Sequence, residues 1–405
     1  MSPLDETSRN EEASSIHRLR REAFIWLAVG LLMVSICYFT LESVNPGLQF
    51  PTWLPLPIAG TIALWRYLIQ QLPGNRRSRD DRLLPQFGLG NSISILRGLE
   101  LVLLTGFLLI PRPNGWTAWI PALLYTSADI LDYVDGYAAR VRDEVTQLGS
   151  ELDQLLDGAG LLIATLLAIR YGTIPWWFLP IGAARYLFLA GIRIRERRGL
   201  PVYELTGSRS RRPIAGLTMG FMTAMLWPII KPPASTLAGF LFMLPFGASF
   251  LRDWLVVSGM INPQSDWYLR LRRWLEVMLI DFLPVVVRFL LAGLLALDLW
   301  DTLLDLNRTV DTFGMAAFPA PTAVVLIFSI LKLTAIPMLL AGAAGRYVAF
   351  TLIFPIGLTI VFLGMTELKA GMLVGDLLTL MLGTGRGSIW EPSKKIFGRR
   401  AGTPK

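Results

Sequence analysis

Near-continuous apolar runs follow one another along the chain, separated by short polar segments that hold most of the Lys and Arg. Several runs are long enough to span a bilayer as helices. Two lie at about residues 24–40 and 53–72, and the second ends at a basic cluster, GNRRSRDDR. Six more lie at about 90–110, 116–140, 146–171, 175–192, 214–230 and 235–259. After a polar segment, NPQSDWYLRLRRW, about four follow at 277–299, 319–342, 347–365 and 371–382. The pattern predicts an all-α polytopic membrane protein built as a block of six helices with about two extra transmembrane helices before it and about four after it. The predicted organisation is an N-terminal tail with two helices over 1–87, a core over 88–260, a linker over 261–275 and a C-terminal four-helix membrane domain over 276–405.

Composition agrees: 53% of residues are hydrophobic and 17% charged, too apolar for an ordinary soluble domain. The net charge of +8 would suggest nucleic acid in a soluble protein. Here the cations sit in loops between spans, as orientation signals do, so nucleic acid is discounted as a partner. Counted loop by loop, the N-terminus, the 132–157 turn, the arginine-rich 193–212 loop, RLRR at 270–273, Arg346 and the basic tail fall on one side. This predicts an integral protein of the cell inner (plasma) membrane with its N-terminus, C-terminus and 132–157 turn in the cytoplasm. The first apolar run lacks a small-residue cleavage site and reads as an uncleaved span. Cys37 has no second cysteine to pair with, and His17 stands alone in a polar tail, so soft-metal chemistry is nearly excluded.

The candidate chemistry is concentrated in DYVDGYAARVRDEVTQLGSELDQLLD, residues 132–157. At 100° per residue, Asp132, Asp135, Gly136, Ala139 and Arg140 fall within about 140° of one helix, while Gly149, Asp153 and Asp157 follow one stripe of the next. An ionised Asp at mid-bilayer costs roughly 2.5–3.5 kcal/mol on insertion scales, so such a cluster needs an offsetting charge. Oxygen-only donors suit hard divalent cations such as Mg²⁺, Mn²⁺ or Ca²⁺, two of which could share bridging carboxylates. The bland alternative is a set of carboxylates that solvates a loop between two helices.

Written as D-x2-D-G-x2-A-R-x8-G-x3-D-x3-D, these positions resemble the signature of the CDP-alcohol phosphatidyltransferase family at Asp132, Asp135, Gly136, Ala139, Arg140, Gly149, Asp153 and Asp157. Asn91, Ser94 and Arg97 also resemble the Asn-x-x-Thr/Ser-x-x-Arg pattern that opens the family's first core helix; taken alone, they read equally as a helix cap followed by a polar helix entry. The resemblance implies a six-helix core and transfer of a phosphatidyl-type group from a CDP-linked lipid donor, of the CDP-diacylglycerol type, to an alcohol acceptor with release of CMP. It further implies a site with two divalent metals, Mg²⁺ or Mn²⁺, on Asp132, Asp135, Asp153 and Asp157, with Asp157 also the catalytic base. Gly136, Ala139, Arg140, Gly149, Asn91 and Ser94 would line the CDP site. Arg185, Arg193 and Arg195 are candidates for binding an anionic acceptor, against the plainer reading of the arginine loop as an orientation signal. Membrane lipids are implied partners, and a homodimer is compatible with the pattern. A rival reading is a membrane scaffold or transporter that retains the acidic motif without catalysis.

The C-terminal block bears a vaguer resemblance to DoxX-type four-helix membrane modules, through AGRYVAF and LMLGTGRGSI, which implies a redox-partner surface. Arg288 and Lys332 lie within its predicted spans and need a carboxylate, Asp281 or another acid, or a water-lined face.

Overall fold

The computed structural model describes residues 3–44, 50–204, 211–232, 234–315 and 320–390. Among them the regular elements are all helices, joined by turns and short connections, with isolated bridges in place of strands. It is an all-α polytopic membrane protein. Every predicted apolar run is helical where described, yet five helices, or six when a pair bent by 63° is counted as one, are long and apolar enough to cross a membrane by length and composition alone. The expected count of about twelve spans therefore exceeds what those criteria support. The charges of the site are one reason, since Arg97 and Glu100 interrupt one candidate helix and Asp129, Asp132, Asp135 and Arg140 another.

The chain divides into two compact units. The first comprises Met1–Gly191 and Met219–Pro232. It contains α1 (Pro3–Val44), α2 (Pro55–Gln70), α3 (Gly88–Gly106), α4 (Ile120–Val141), α5 (Gln147–Arg170) and the short α6 (Leu179–Gly182). α7 (Ala184–Arg197) and α8 (Arg211–Leu226) each begin in one unit and end in the other. α3 is the axis of the first unit, packing along α1, α2, α4 and α5, whereas α4 and α5 touch each other little. The two acidic helices do not face each other directly; each packs along α3. A Cβ placed on Gly90 of α3 would lie 2.8 Å from the Ala139 Cβ on α4, so this close crossing depends on glycine.

The second unit, Ile192–Thr218 with Pro233–Lys405, contains α9 (Ala234–Val257), α10 (Asp266–Glu276), α11 (Leu283–Leu304), α12 (Leu306–Met315), α13 (Pro321–Ala341), α14 (Gly345–Leu363) and α15 (Glu367–Leu382). α11 packs against α13 and α15, and α14 against both of the latter. The segment expected to be a polar linker is mostly α10, joined to α11 by a π-helical turn, Val277–Phe282. α12 was not anticipated. Lys332 on α13 pairs with Asp298 on α11 and not with Asp281, which lies in the π-helical turn before α11. Arg288 donates from Nη1 to the Thr384 carbonyl at 3.0 Å. Residues 391–405, which hold the basic tail, lie outside the described residues.

Candidate active site

The turn between α4 and α5 is built by local backbone chemistry. Asp143 takes a left-handed conformation, φ 54°, which Asp tolerates better than most residues, and the Glu144 N–H donates back to the Ala139 carbonyl at 2.9 Å. α5 then starts at Thr146, whose Oγ1 accepts from the Gly149 N–H at 3.0 Å. The α2–α3 connection clasps the same turn: Ser78 N–H donates to the Val145 carbonyl at 2.8 Å and Gln147 N–H to the Arg76 carbonyl at 3.1 Å. Buried Asn75 holds that connection in shape by donating to the carbonyls of Leu84 and Gln86 at 3.1 and 2.8 Å. Asn91 on α3 donates to Asn75 Oδ1 and to Thr146 Oγ1, both at 2.9 Å. A Cβ on Gly149 would lie 2.3 Å from Asn91 Oδ1, so the network requires glycine there.

One turn along α3 from Asn91, Ser94 donates from Oγ to Asp135 Oδ2 at 2.7 Å. A further turn on, Arg97 is 1% exposed and meets three carboxylates. Its Nη1 lies 2.5 Å from Asp132 Oδ1 and 3.1 Å from Asp153 Oδ1, and its Nη2 bonds Asp157 Oδ1. Asn91, Ser94 and Arg97, three residues apart, thus form one face of α3 that meets α4 and α5 together. In a low-dielectric interior the guanidinium offsets part of the repulsion among four carboxylates.

Asp132, Asp135 and Asp153 each present a carboxylate oxygen within 4.8 Å of the others, a spacing one hard cation can bridge. The donor set fits a divalent metal: it is all oxygen and anionic, and Ser94 orients one member. Asp157 lies one turn further along α5, with 42% of its side chain exposed while one oxygen is held by Arg97.

The other predicted site residues divide into groups. Gly136 makes room for Arg140, since a Cβ there would lie 3.2 Å from Arg140 Nη1, and the Arg140 side chain is exposed. Ala139 meets α3. Arg185 lies against α5 beside the acidic stripe: its Nη2 donates to Gln154 Oε1 at 3.2 Å, and a Cβ on Gly158 would come within 2.5 Å of its Cδ. Arg193 and Arg195 belong to the second compact unit. Arg193 is exposed, while Arg195 bonds the carbonyls of Pro201 and Ser258 at 3.0 Å each. Arg209 lies outside the described residues, as do the side chains of Arg211 and Arg212. Asp129, one turn before Asp132, accepts from the Thr223 hydroxyl of α8.

Sequence reasoning missed three contributors: Arg97 as the cation at the centre, Asn75, and Thr146. For Arg97 the signal was available, because an arginine on the face of Asn91 and Ser94 inside an apolar run needs acidic partners.

These features define a class: a helical membrane site in which two acidic helices and a polar third helix form an oxygen-rich, divalent-metal-compatible centre. Residues 87–261 match the family model described as CDP-alcohol phosphatidyltransferase. Over 107 residues the chain is 34% identical to a CDP-diacylglycerol–glycerol-3-phosphate 3-phosphatidyltransferase of Cereibacter sphaeroides, an alignment covering 25% of this chain and 48% of the relative. It is 28% identical over 137 residues to a putative cardiolipin synthase of Mycobacterium bovis, covering 34% and 63%. A CDP-diacylglycerol–glycerol-3-phosphate 3-phosphatidyltransferase of Salmonella choleraesuis is 29% identical over 155 residues, covering 36% and 79%. The chain thus spans about half of the first relative and under two thirds of the second. No solved structure matches it.

Proposed function

We propose that the protein is an integral-membrane transferase that moves a phosphatidyl-type group from a CDP-linked lipid, of the CDP-diacylglycerol kind, to an alcohol, releasing CMP in phospholipid biosynthesis. The observation that carries this reading is the convergence of Asp132, Asp135, Asp153 and Asp157 from two helices on one centre, in the domain that matches the family. Asp132, Asp135 and Asp153 would hold divalent metal, two Mg²⁺ or Mn²⁺ with Asp157 sharing the second. Bound there, the metal supplies positive charge against the pyrophosphate oxygens and the departing CMP.

The chain's own residues do the rest. Asp157, held through one oxygen by Arg97 and half-exposed, accepts the acceptor's hydroxyl proton as its oxygen bonds to phosphorus and the bond to the CMP oxygen breaks. Arg97 keeps three carboxylates aimed at one centre, and Ser94 fixes Asp135. Gly136 and Arg140 form the nucleotide end, where Gly136 leaves space and Arg140 offers an exposed cation. The Asn91–Thr146–Asn75 network holds the helix entrance through which the nucleotide is bound. Arg185, beside Gln154 on the acidic helix, is placed to bind an anionic group on the acceptor, which favours a phosphorylated alcohol such as the glycerol 3-phosphate named for two relatives. The cation-rich loops support a site on the cytoplasmic face of the inner membrane, where CDP-linked nucleotides are available.

The test uses the full chain in nanodiscs with CDP-diacylglycerol, a panel of acceptor alcohols and mass spectrometry of the lipid product. Acceptor-dependent CMP release that chelator abolishes is expected. Absence of release with every acceptor would favour the scaffold or transporter reading, and full turnover in excess chelator would remove the metal.

A further inference from the structure

α10 carries DWYLRLRRWLE between α9 and α11. Trp267, Leu271 and Trp274 follow steps of four and three residues, which places them within about 60° of one another around the helix. All three are exposed, at 50, 44 and 57%. Tyr268, about 100° away, is 5% exposed, so α10 packs on the protein by that side and leaves its Trp face outward. Arg270 and Arg273 are exposed on one flank of that face. Each guanidinium bonds back to a carbonyl of its own helix, of Asp266 and Leu269, both at 3.3 Å, and neither has a carboxylate partner among the described residues.

A helix this short and this charged does not cross a bilayer. Two tryptophans and a leucine on one side, with arginines alongside, are the make-up of a helix that lies in the headgroup region. The chain supports the same placement. α10 leads through Val277–Phe282 into α11, a long apolar span that exposes Val286, Phe289 and Leu290, so α10 sits at the membrane surface where that span begins. A soluble partner protein would not account for this join to a lipid-facing flank.

We propose that α10 is an interfacial helix seated in the leaflet next to α11, with Trp267, Leu271 and Trp274 in the acyl boundary and Arg270 and Arg273 on the phosphates of anionic glycerophospholipids. The placement is independent of the transferase reading and holds whether or not the protein releases CMP.

The experiment uses the full chain in a Cys37→Ser background with Leu271→Cys carrying an environment-sensitive fluorophore. A second variant, Trp274→Cys, serves if the first folds poorly. Each is reconstituted into phosphatidylcholine vesicles with and without phosphatidylglycerol. Strong quenching by shallow spin-labelled lipid and weak quenching by aqueous iodide are expected. Iodide quenching equal to that of a solvent-exposed reference position would overturn the proposal. A probe reached by neither quencher would mean that protein covers the face, which also overturns it. Relative to phosphatidylcholine alone, phosphatidylglycerol should enrich around the probe, and Arg270→Gln with Arg273→Gln should reduce that enrichment on the order of 10-fold. Unchanged enrichment in the double variant would rule out the arginines as the headgroup contacts.

Discussion

The two compact units partner their carboxylates in opposite ways. In the first, Asp132, Asp135, Asp153 and Asp157 share one arginine and one serine, so each acid has a partner and still presents an oxygen toward a common centre. In the second, Asp298 pairs one-to-one with Lys332, and Asp376, fully buried on α15, has no hydrogen-bond partner for either oxygen among the described residues. One cation shared among several acids leaves coordination capacity for something else, whereas a one-to-one pair does not. The first pattern suits a site, and the Asp298–Lys332 pair suits a structural role.

The sharpest way to break this comparison is at Asp157. Asp157→Asn should leave binding of the CDP-linked donor near the parent value while acceptor-dependent CMP release falls roughly 10² to 10⁴-fold. Donor affinity and turnover would be measured together at saturating metal, and a variant with parent turnover would remove Asp157 as the base.

Next in size is the shared cation. Arg97→Gln leaves the carboxylates facing one another and should cost about 3–5 kcal/mol, as when one member of a buried ion pair is removed. Thermal unfolding in detergent measures this. Because divalent metal can replace the lost charge, adding it should raise the melting temperature of Arg97→Gln more than that of the parent. Equal rises would mean that the metal does not replace the charge of Arg97, and no rise in either protein would mean that the cluster does not bind the metal.

The structural pair should behave differently. Lys332→Met alone is expected to destabilise by about 3–5 kcal/mol, while Lys332→Met with Asp298→Leu recovers most of that loss, with no response to divalent metal in either case. A metal response there would blur the distinction between the units.

Smaller effects come last. Gly149→Ala should cost about 1–3 kcal/mol, since its Cβ would strike Asn91 Oδ1 and disrupt the bonds to Thr146 and Asn75. Asp376→Leu should stabilise by about 1–3 kcal/mol, because it removes a buried polar group that lacks a partner. Loss of stability on that substitution would show that Asp376 has a partner in the membrane.

Much of this was legible before any coordinates. The apolar runs exposed the helices because spanning segments must be continuous and hydrophobic, and the spacing of Asp132, Asp135, Asp153 and Asp157 exposed the acidic faces because helical periodicity is local. The interior arginine was visible as a pattern, yet its role was not, since nothing in the order of residues says which acids a cation will reach. Length and composition alone mark fewer helices as spans than the apolar pattern predicts, because polar site residues and short runs weaken a helix as a span without weakening it as a helix.

By itself the sequence determined the all-α membrane character and the eight-position acidic signature. Both depend on composition and on separations of a few residues, which a helix converts directly into geometry. Only the tertiary structure decided that α3 stands between the acidic helices, that Arg97 is shared by Asp132, Asp153 and Asp157, that Asn75 reaches the turn through Asn91, and that Lys332 takes Asp298 and not Asp281. Those pairings join residues 16 to 60 positions apart, and which helix faces which is set by the packing of whole helices, where glycine and alanine permit close approach, rather than by local periodicity.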